Sequence, residues 1–292
     1  MINLMKILGC IGVPVFFLIS GYAFSFNNKK LATLFKDKLT KIIIPWFITG
    51  LFIQLYYLVI NNNNISILKL FGKSLFGNAG SYYLAMLLIY YMIFYYIKGR
   101  SGLYIIILSS IISQLLTSFG LITDINPYYN PLNWIIYFSL GYQIGNKNCI
   151  NRIYTVCKQN LLVIILLFAS ITVVCMNNDY IIGYWSTFYI LYAIIGMALL
   201  IGLAYLITNK YKENIFVRIL TSIGHNSFFI YLINFPIATA ITKLLVLAKL
   251  WRVVFLAPFI TIMIIIIVIN TLKRIASDNI ILQKIILYIG IR

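Results

Sequence analysis

The spacing of charged residues constrains the fold of this chain more than any other feature. Three stretches, 161–176, 185–207 and 253–272, contain no Asp, Glu, Lys, Arg or His. An apolar run of roughly 20 residues is long enough to cross the ~30 Å hydrocarbon core of a bilayer as a helix. Charged residues make up only 10% of the chain, against about a quarter in soluble domains. The sequence therefore predicts an all-α, polytopic membrane helix bundle.

Nine apolar segments are predicted to cross the membrane. They are 7–26, 42–60, 82–97, 103–120, 131–145, 161–176, 184–207, 223–242 and 253–272. We interpret 1–292 as a single integral membrane domain, in which 273–292 is a cytosolic tail. An apolar stretch at 280–289, broken by Gln283 and Lys284, predicts that this tail includes a helix lying along the membrane surface.

The basic residues predict how the protein is oriented. The chain has 23 Lys and Arg against 5 Asp and Glu. They are spread over many short loops and form no basic helix face, so we expect no nucleic-acid partner. If the loop at 27–41 is cytosolic, 17 of the 23 lie on the inner side and 6 on the outer side. This bias predicts a multi-pass protein of the cell membrane with its N-terminus outside and its C-terminus in the cytosol.

The most distinctive motif is GVPVFFLISGY at 12–22. Ser20 and Gly21 give this apolar segment a small surface, which another helix or a ligand can approach closely. Packing between helices and a substrate cleft both remain open at this point.

Four segments together resemble the acyltransferase-3 family of integral membrane acyltransferases. They are GVPVFFLISGY at 12–22, KLTKIIIPW at 38–46, NWIIYFSLGYQIG at 133–145 and IGHNSFFIYLINFP at 223–236. The resemblance implies about ten membrane helices and transfer of an acyl group, usually acetyl, from acyl-CoA. The implied acceptor is a hydroxyl of a cell-surface polysaccharide or its lipid-linked precursor. It implies acetyl-CoA or another acyl-CoA as co-substrate, with no bound cofactor and no metal.

The chain departs from the family pattern at three places. The family's histidine, the expected base, lies in a helix before GVPVFFLISGY, and the chain begins too late to contain it. Asn234 stands where the family usually has His. Ser81-Tyr82-Tyr83-Leu84 stands where an HLW motif is common, so Tyr82 and Tyr83 keep the aromatic character without the histidine. We interpret the chain either as lacking the first family helix or as an inactive relative.

Acyl transfer to a hydroxyl requires a base and hydrogen-bond donors for the developing oxyanion. His225 is the one histidine in the sequence. It is a weak catalytic candidate, because its position favours a role near a helix start on the cytosolic face. The catalytic residue is therefore left unassigned.

Binding residues are suggested by charge and by tyrosine content. Lys38 and Lys41 share a face if a helix has begun, and their charges suit either the phosphates of acyl-CoA or anionic lipid headgroups. Tyr82 and Tyr83 begin a tyrosine-rich span that suits a sugar acceptor, although an interfacial belt explains it equally. Ser20, Gly21 and Asn234 complete the predicted cleft.

Two other functions compete with an enzyme of the bacterial cell envelope that O-acetylates a glycan. One is a transporter of a polysaccharide or lipid-linked substrate, but such proteins commonly show repeats and a charged site at the midplane. The other is a truncated, inactive paralogue. The four cysteines show no metal-ligand spacing and are predicted to be small apolar fillers.

Overall fold

The regular structure is helical throughout the part of the chain that the computed structural model describes, namely residues 2–61, 67–76, 81–97, 100–122, 126–177, 184, 188–210 and 214–291. The α-helices are α1 (Ile2–Gly9), α2 (Gly12–Ser25), α3 (Leu31–Lys38), α4 (Ile44–Asn61), α5 (Ile67–Phe76), α6 (Ser81–Tyr96), α7 (Arg100–Ser118), α8 (Ile135–Asn146), α9 (Ile150–Gln159), α10 (Leu161–Asn177), α11 (Tyr189–Lys210), α12 (Ile215–His225), α13 (Ser227–Leu247), α14 (Ala257–Ala276) and α15 (Ile280–Tyr288). A π-helical turn at Leu39–Ile43 joins α3 to α4.

The prediction of an all-α membrane bundle is confirmed. Each of the nine predicted segments contains a helix. Within the described residues, five stretches are long and apolar enough to cross a bilayer: Ile7–Ser25, Leu31–Leu55, Tyr189–Asn209, Ser227–Leu247 and Val253–Ala276. A sixth arises if α9 and α10, which meet at a bend of 78°, are counted as one broken span.

The helix in one short predicted span begins later in the structure than the sequence predicts. The segment 131–145 begins with a 3-10 turn at Pro131–Asn133, so that α8 starts only at Ile135. The side chain of Asn130 caps this turn by accepting a hydrogen bond from the backbone amide of Leu132 at 3.0 Å. A helix of 12 residues is too short to span the hydrocarbon core of a bilayer.

The chain divides into two compact units. The first contains Met1–Lys29 and Tyr82–Lys212, and the second contains Lys30–Ser81 and Glu213–Arg292. In the first unit, α2 and α8 run side by side in the same direction, since Gly21 faces Phe138 and Ser25 faces Gly145. These two helices carry the first and third of the four family-like segments.

The second unit is organised around a small apolar core. Phe229 on α13 packs there with Ile265 and Ile269 on α14 and with Ile291, which follows α15 and is fully buried. The predicted tail helix at 280–289 is present as α15, and Asn279 caps its start by accepting from the amide of Ile281 at 2.9 Å. In addition to forming the predicted helix, the tail buries the side chain of Ile291 in the core of the second unit.

Candidate functional site

Two predicted cleft residues meet in the first unit. The Ser20 hydroxyl on α2 lies 3.4 Å from the Tyr83 hydroxyl on α6, and either can donate the hydrogen bond. The Tyr83 ring is held in place by Phe17, whose ring centroid is 4.7 Å away. Two hydroxyls that pair with each other inside an apolar bundle are satisfied donors and acceptors, and they become available to a ligand hydroxyl by exchanging partners.

Gly21 has a different role from that of its neighbour. A Cβ atom at Gly21 would overlap the backbone carbonyl of Phe138 and lie 3.1 Å from the amide nitrogen of Tyr142. Gly141 and Gly145 on α8 are equally crowded by the backbone of Leu18 and by the side chain of Ser25. The structure therefore places Gly21 in a small-residue contact between α2 and α8. A place for Gly21 in a substrate cleft stays a prediction.

An aromatic face begins at Tyr82. The Tyr82 ring stacks on Trp134 at 5.6 Å and tilts against Tyr128 at 5.1 Å. Tyr184, which lies between α10 and α11, meets Trp134 edge-on at 5.1 Å. Trp134 is fully buried, whereas Tyr82 and Tyr184 are half-buried and Tyr128 is exposed. Tyr128 and its half-buried neighbours therefore present aromatic surface above a fixed tryptophan.

The phenol of Tyr184 is in its neutral form. A tyrosine phenol is neutral at physiological pH even at its ordinary pKa. A neutral phenol can both donate and accept a hydrogen bond, which suits contact with the hydroxyls of a polyol.

A buried hydrogen-bond network holds the residues that carry the aromatic face. Asn133 is fully buried, and its Oδ1 accepts from the Ser113 hydroxyl at 2.7 Å. Its Nδ2 donates to the carbonyl of Pro127 at 3.1 Å and to the Thr117 hydroxyl at 3.3 Å. The indole of Trp134 donates to the Tyr128 carbonyl at 3.2 Å. The network ties α7 to the turn that carries the aromatic face.

Gln114 is the member of this network with spare hydrogen-bonding capacity. Its Nε2 donates to the backbone carbonyl of Asn133 and lies 3.4 Å from the Tyr137 hydroxyl. Its Oε1 is buried and has no hydrogen-bond partner. A buried acceptor without a partner is costly, and such atoms commonly bind an ordered water or a ligand group. Neither Asn133 nor Gln114 is among the site residues predicted from the sequence.

The second unit holds the other predicted site residues. Lys38 is the last residue of α3, and Lys41 lies in the π-helical turn that follows. Lys41 is exposed and Lys38 is half-buried. His225 ends α12 and is exposed, two residues before α13 begins, and Asn234 is an exposed residue of α13. Ser20, Tyr82 and Tyr83 thus share the first unit, and Lys38, Lys41, His225 and Asn234 share the second.

Three of the four cysteines are buried, as expected of small apolar fillers. The four form no disulfide with one another, and the buried ones are Cys10, Cys157 and Cys175. Among the residues that the structure describes, no group of His, Cys, Asp or Glu could hold a metal ion.

The long apolar helices and the buried polar and aromatic side chains between them define an integral membrane helix bundle. A family model described as an acyltransferase domain, Acyl_transf_3, matches residues 1–272. Because the match covers nearly the whole chain, the protein belongs to the acyltransferase-3 family and is a membrane acyltransferase in the general sense. The chain matches no curated protein and no solved structure.

Proposed function

We propose that this protein transfers an acetyl group from acetyl-CoA to a hydroxyl of a bacterial cell-surface polysaccharide or its lipid-linked precursor. The observation that carries the proposal is the meeting of two family-like segments at a hydroxyl pair beside an aromatic face. Ser20 comes from GVPVFFLISGY, Trp134 comes from NWIIYFSLGYQIG, and Phe17 contacts both Tyr83 and Trp134, with ring centroids 4.7 and 6.1 Å apart.

The first unit has the chemistry to hold a sugar acceptor. Tyrosine and tryptophan rings give a sugar a large, rigid contact surface with a polar rim. The rings of Tyr82, Tyr128 and Tyr184 surround Trp134 in this way. The Ser20 and Tyr83 hydroxyls lie next to this face and are assigned to positioning the acceptor hydroxyl. A site with hydrogen-bonding groups for a hydroxyl also discriminates against analogues that lack it.

The second unit is assigned to the donor. Lys38 and Lys41 lie in the basic segment at 29–41. The charge bias predicts that this segment is cytosolic, and acetyl-CoA is available in the cytosol. Lysine binds phosphate as a point charge, and acetyl-CoA carries a 3′-phosphate and a pyrophosphate. In this assignment the two lysines bind the nucleotide end of the donor outside the bilayer.

The proposal is tested with sealed, inverted membrane vesicles that contain the protein and its native glycan. Acetyl-CoA labelled in the acetyl group is added to the exposed cytosolic face. We expect label in the glycan fraction as an alkali-labile ester, and little label when right-side-out vesicles are used. Vesicles without the protein provide the control. Label in the glycan at the level of that control would overturn the proposal.

A further inference from the structure

An apolar groove in the second unit has no part in the proposed acyl transfer. It lies between α4 and α13 and encloses a volume of about 470 Å³. Its walls are formed by Phe52 and Ile53 on α4 and by Phe229, Ile233, Ile237 and Ile241 on α13. Thr49 is the polar side chain among the described residues that line it. Such a lining suits a hydrocarbon chain and offers little to a sugar or a nucleotide.

The length of the groove matches a chain from one leaflet of the membrane. Phe229 and Ile241 are twelve residues apart on one helix, which corresponds to about 18 Å at 1.5 Å per residue. Half of the ~30 Å hydrocarbon core is about 15 Å, the depth that the acyl chains of one leaflet fill. A single extended acyl chain therefore fits along the groove.

The C-terminal tail lies at one end of the groove. Ile289 lines the groove. A Cβ atom built on the next residue, Gly290, would lie 3.2 Å from the ring of Phe228 and 3.5 Å from Pro45. Phe228 is in the first turn of α13 and Pro45 is in the first turn of α4. The first turns of both helices and the end of α15 thus meet at this end.

The chain around that end is strongly basic. Lys41 lies four residues before Pro45 at the start of α4. Arg274 lies two residues after Leu272, and Leu272 packs on the core that contains Phe229. The described residues of 36–45 and 272–291 include Lys36, Lys38, Lys41, Lys273, Arg274 and Lys284, against Asp37 and Asp278. Basic side chains beside the mouth of a hydrocarbon groove complement the negative headgroup of a lipid whose chain lies in the groove.

The rim of the groove indicates how its occupant enters. Phe52 is 65% exposed, and Ala240, which also lines the groove, is exposed. The groove is therefore open along its side and not only at its basic end. A lipid can enter it laterally with one chain and leave its second chain in the bilayer.

From these observations we infer that the groove between α4 and α13 binds one acyl chain of an anionic phospholipid. The headgroup lies at the basic end formed by the start of α4, the end of α14 and α15. Lys38 and Lys41 at this end are also the residues assigned to the acyl donor, so the headgroup contact is tested at Arg274 and Lys284, which have no part in the proposed transfer.

The inference is tested by native mass spectrometry of the purified full chain. The protein is delipidated and then supplied with phosphatidylglycerol or with phosphatidylcholine of the same acyl chains. We expect one phosphatidylglycerol to be retained about tenfold more strongly than phosphatidylcholine. Equal retention of the two lipids would overturn the inference.

Two variants separate the groove from nonspecific lipid binding. Ala240→Trp fills the groove and is expected to lower phosphatidylglycerol retention to the phosphatidylcholine level. Thr239→Trp adds the same ring at a half-buried neighbouring position of α13 that does not line the groove and is expected to leave retention unchanged. If Ala240→Trp fails to fold, Phe52→Ala removes a wall of the groove and should lower retention instead. Undiminished retention in a folded groove variant would contradict the inference.

The headgroup contact is tested by Arg274→Gln combined with Lys284→Gln. This variant should lose about tenfold in phosphatidylglycerol retention and should keep that of phosphatidylcholine. A further arm supplies palmitoyl-CoA at the same concentration. If palmitoyl-CoA displaces phosphatidylglycerol and is retained more strongly, the groove belongs to an acyl donor and the lipid assignment is wrong.

Discussion

Gly21 of α2 lies so close to the backbone carbonyl of Phe138 on α8 that no side chain fits between them. The same contact continues one turn on, where Gly145 faces Ser25. Two pairs of small residues at a spacing of four, Gly21 with Ser25 and Gly141 with Gly145, thus bring two helices together. In a bilayer, where lipid chains are as apolar as leucine, such close packing is a main source of helix association.

Replacement of Gly21 or Gly141 by alanine should weaken this contact. Because the added Cβ would meet backbone atoms, we expect each variant to be destabilised by about 1–3 kcal/mol or more. The measurement is the melting temperature in detergent, followed by size-exclusion fluorescence. Gly12→Ala, in the same helix with nothing within 4 Å of its Cβ position, is the matched control. A Gly21→Ala variant as stable as Gly12→Ala would contradict the packing described here.

The Asn133 network should matter for stability as much as the glycines do. Asn133→Leu removes a side chain that satisfies Ser113, Thr117 and the Pro127 carbonyl. We expect a loss of about 1–3 kcal/mol, because the Ser113 and Thr117 hydroxyls that lose Asn133 as a partner are buried. Asn146→Leu, at the exposed end of α8, should change the melting temperature little. Equal melting temperatures for the two variants would show that the network is not required.

These two features also show what the sequence could and could not reveal. Charge-free runs were sufficient to predict a helix in each of the nine segments. Five stretches of the described residues also have the length and low polarity that crossing a bilayer requires. Charge-free runs could not predict that α2 pairs with α8, since an apolar helix face does not specify its partner. The spacing of Gly141 and Gly145 was a readable signal for that contact.

The polar network was missed for a different reason. Asn133 stands at the start of the predicted span 131–145, where a polar residue does not by itself indicate a buried hydrogen-bond network. Ser110, Ser113, Gln114 and Thr117 recur at helical spacing inside the predicted span 103–120. A polar stripe of this kind on an apolar helix indicates a buried polar partner. Its partner, Asn133, could be found only from the fold of the turn.

The paired hydroxyls of Ser20 and Tyr83 should affect activity more than stability. Tyr83→Phe keeps the ring contact with Phe17 and removes the hydroxyl, so acetyl transfer should fall by about 10–100-fold with a small change in melting temperature. Acetyl transfer by the Ser20→Ala variant should fall by a similar factor. Tyr96→Phe, at the exposed end of α6, should retain full activity. Unchanged transfer in Tyr83→Phe would remove this pair from the acceptor site.

Lys38→Ala combined with Lys41→Ala should raise the KM for acetyl-CoA. Loss of two cations near the donor phosphates is expected to raise KM about tenfold, with kcat less affected. The double variant Lys69→Ala with Lys73→Ala removes the same charge from α5 and serves as the control. An equal KM in the two double variants would take Lys38 and Lys41 out of the donor site.

His225→Gln should leave acetyl transfer within about twofold of the parent, because we do not assign His225 as the general base. Loss of a general base would lower the rate about 10²–10⁴-fold. His225 ends α12 on the protein surface and is exposed. The rate is measured at saturating acetyl-CoA over a range of pH. A loss of about 100-fold or more, with the protein still folded, would instead make this histidine the catalytic base.

The central claim, O-acetylation of an envelope glycan by this protein, is tested most directly in the source organism. The gene is deleted and then restored, and the ester-linked acetyl content of the purified surface polysaccharides is measured by mass spectrometry. We predict that acetyl esters are lost from one glycan on deletion, that they return with the parent gene, and that they return only weakly with Tyr83→Phe. Identical acetyl content with and without the gene, in every surface glycan, would contradict the account.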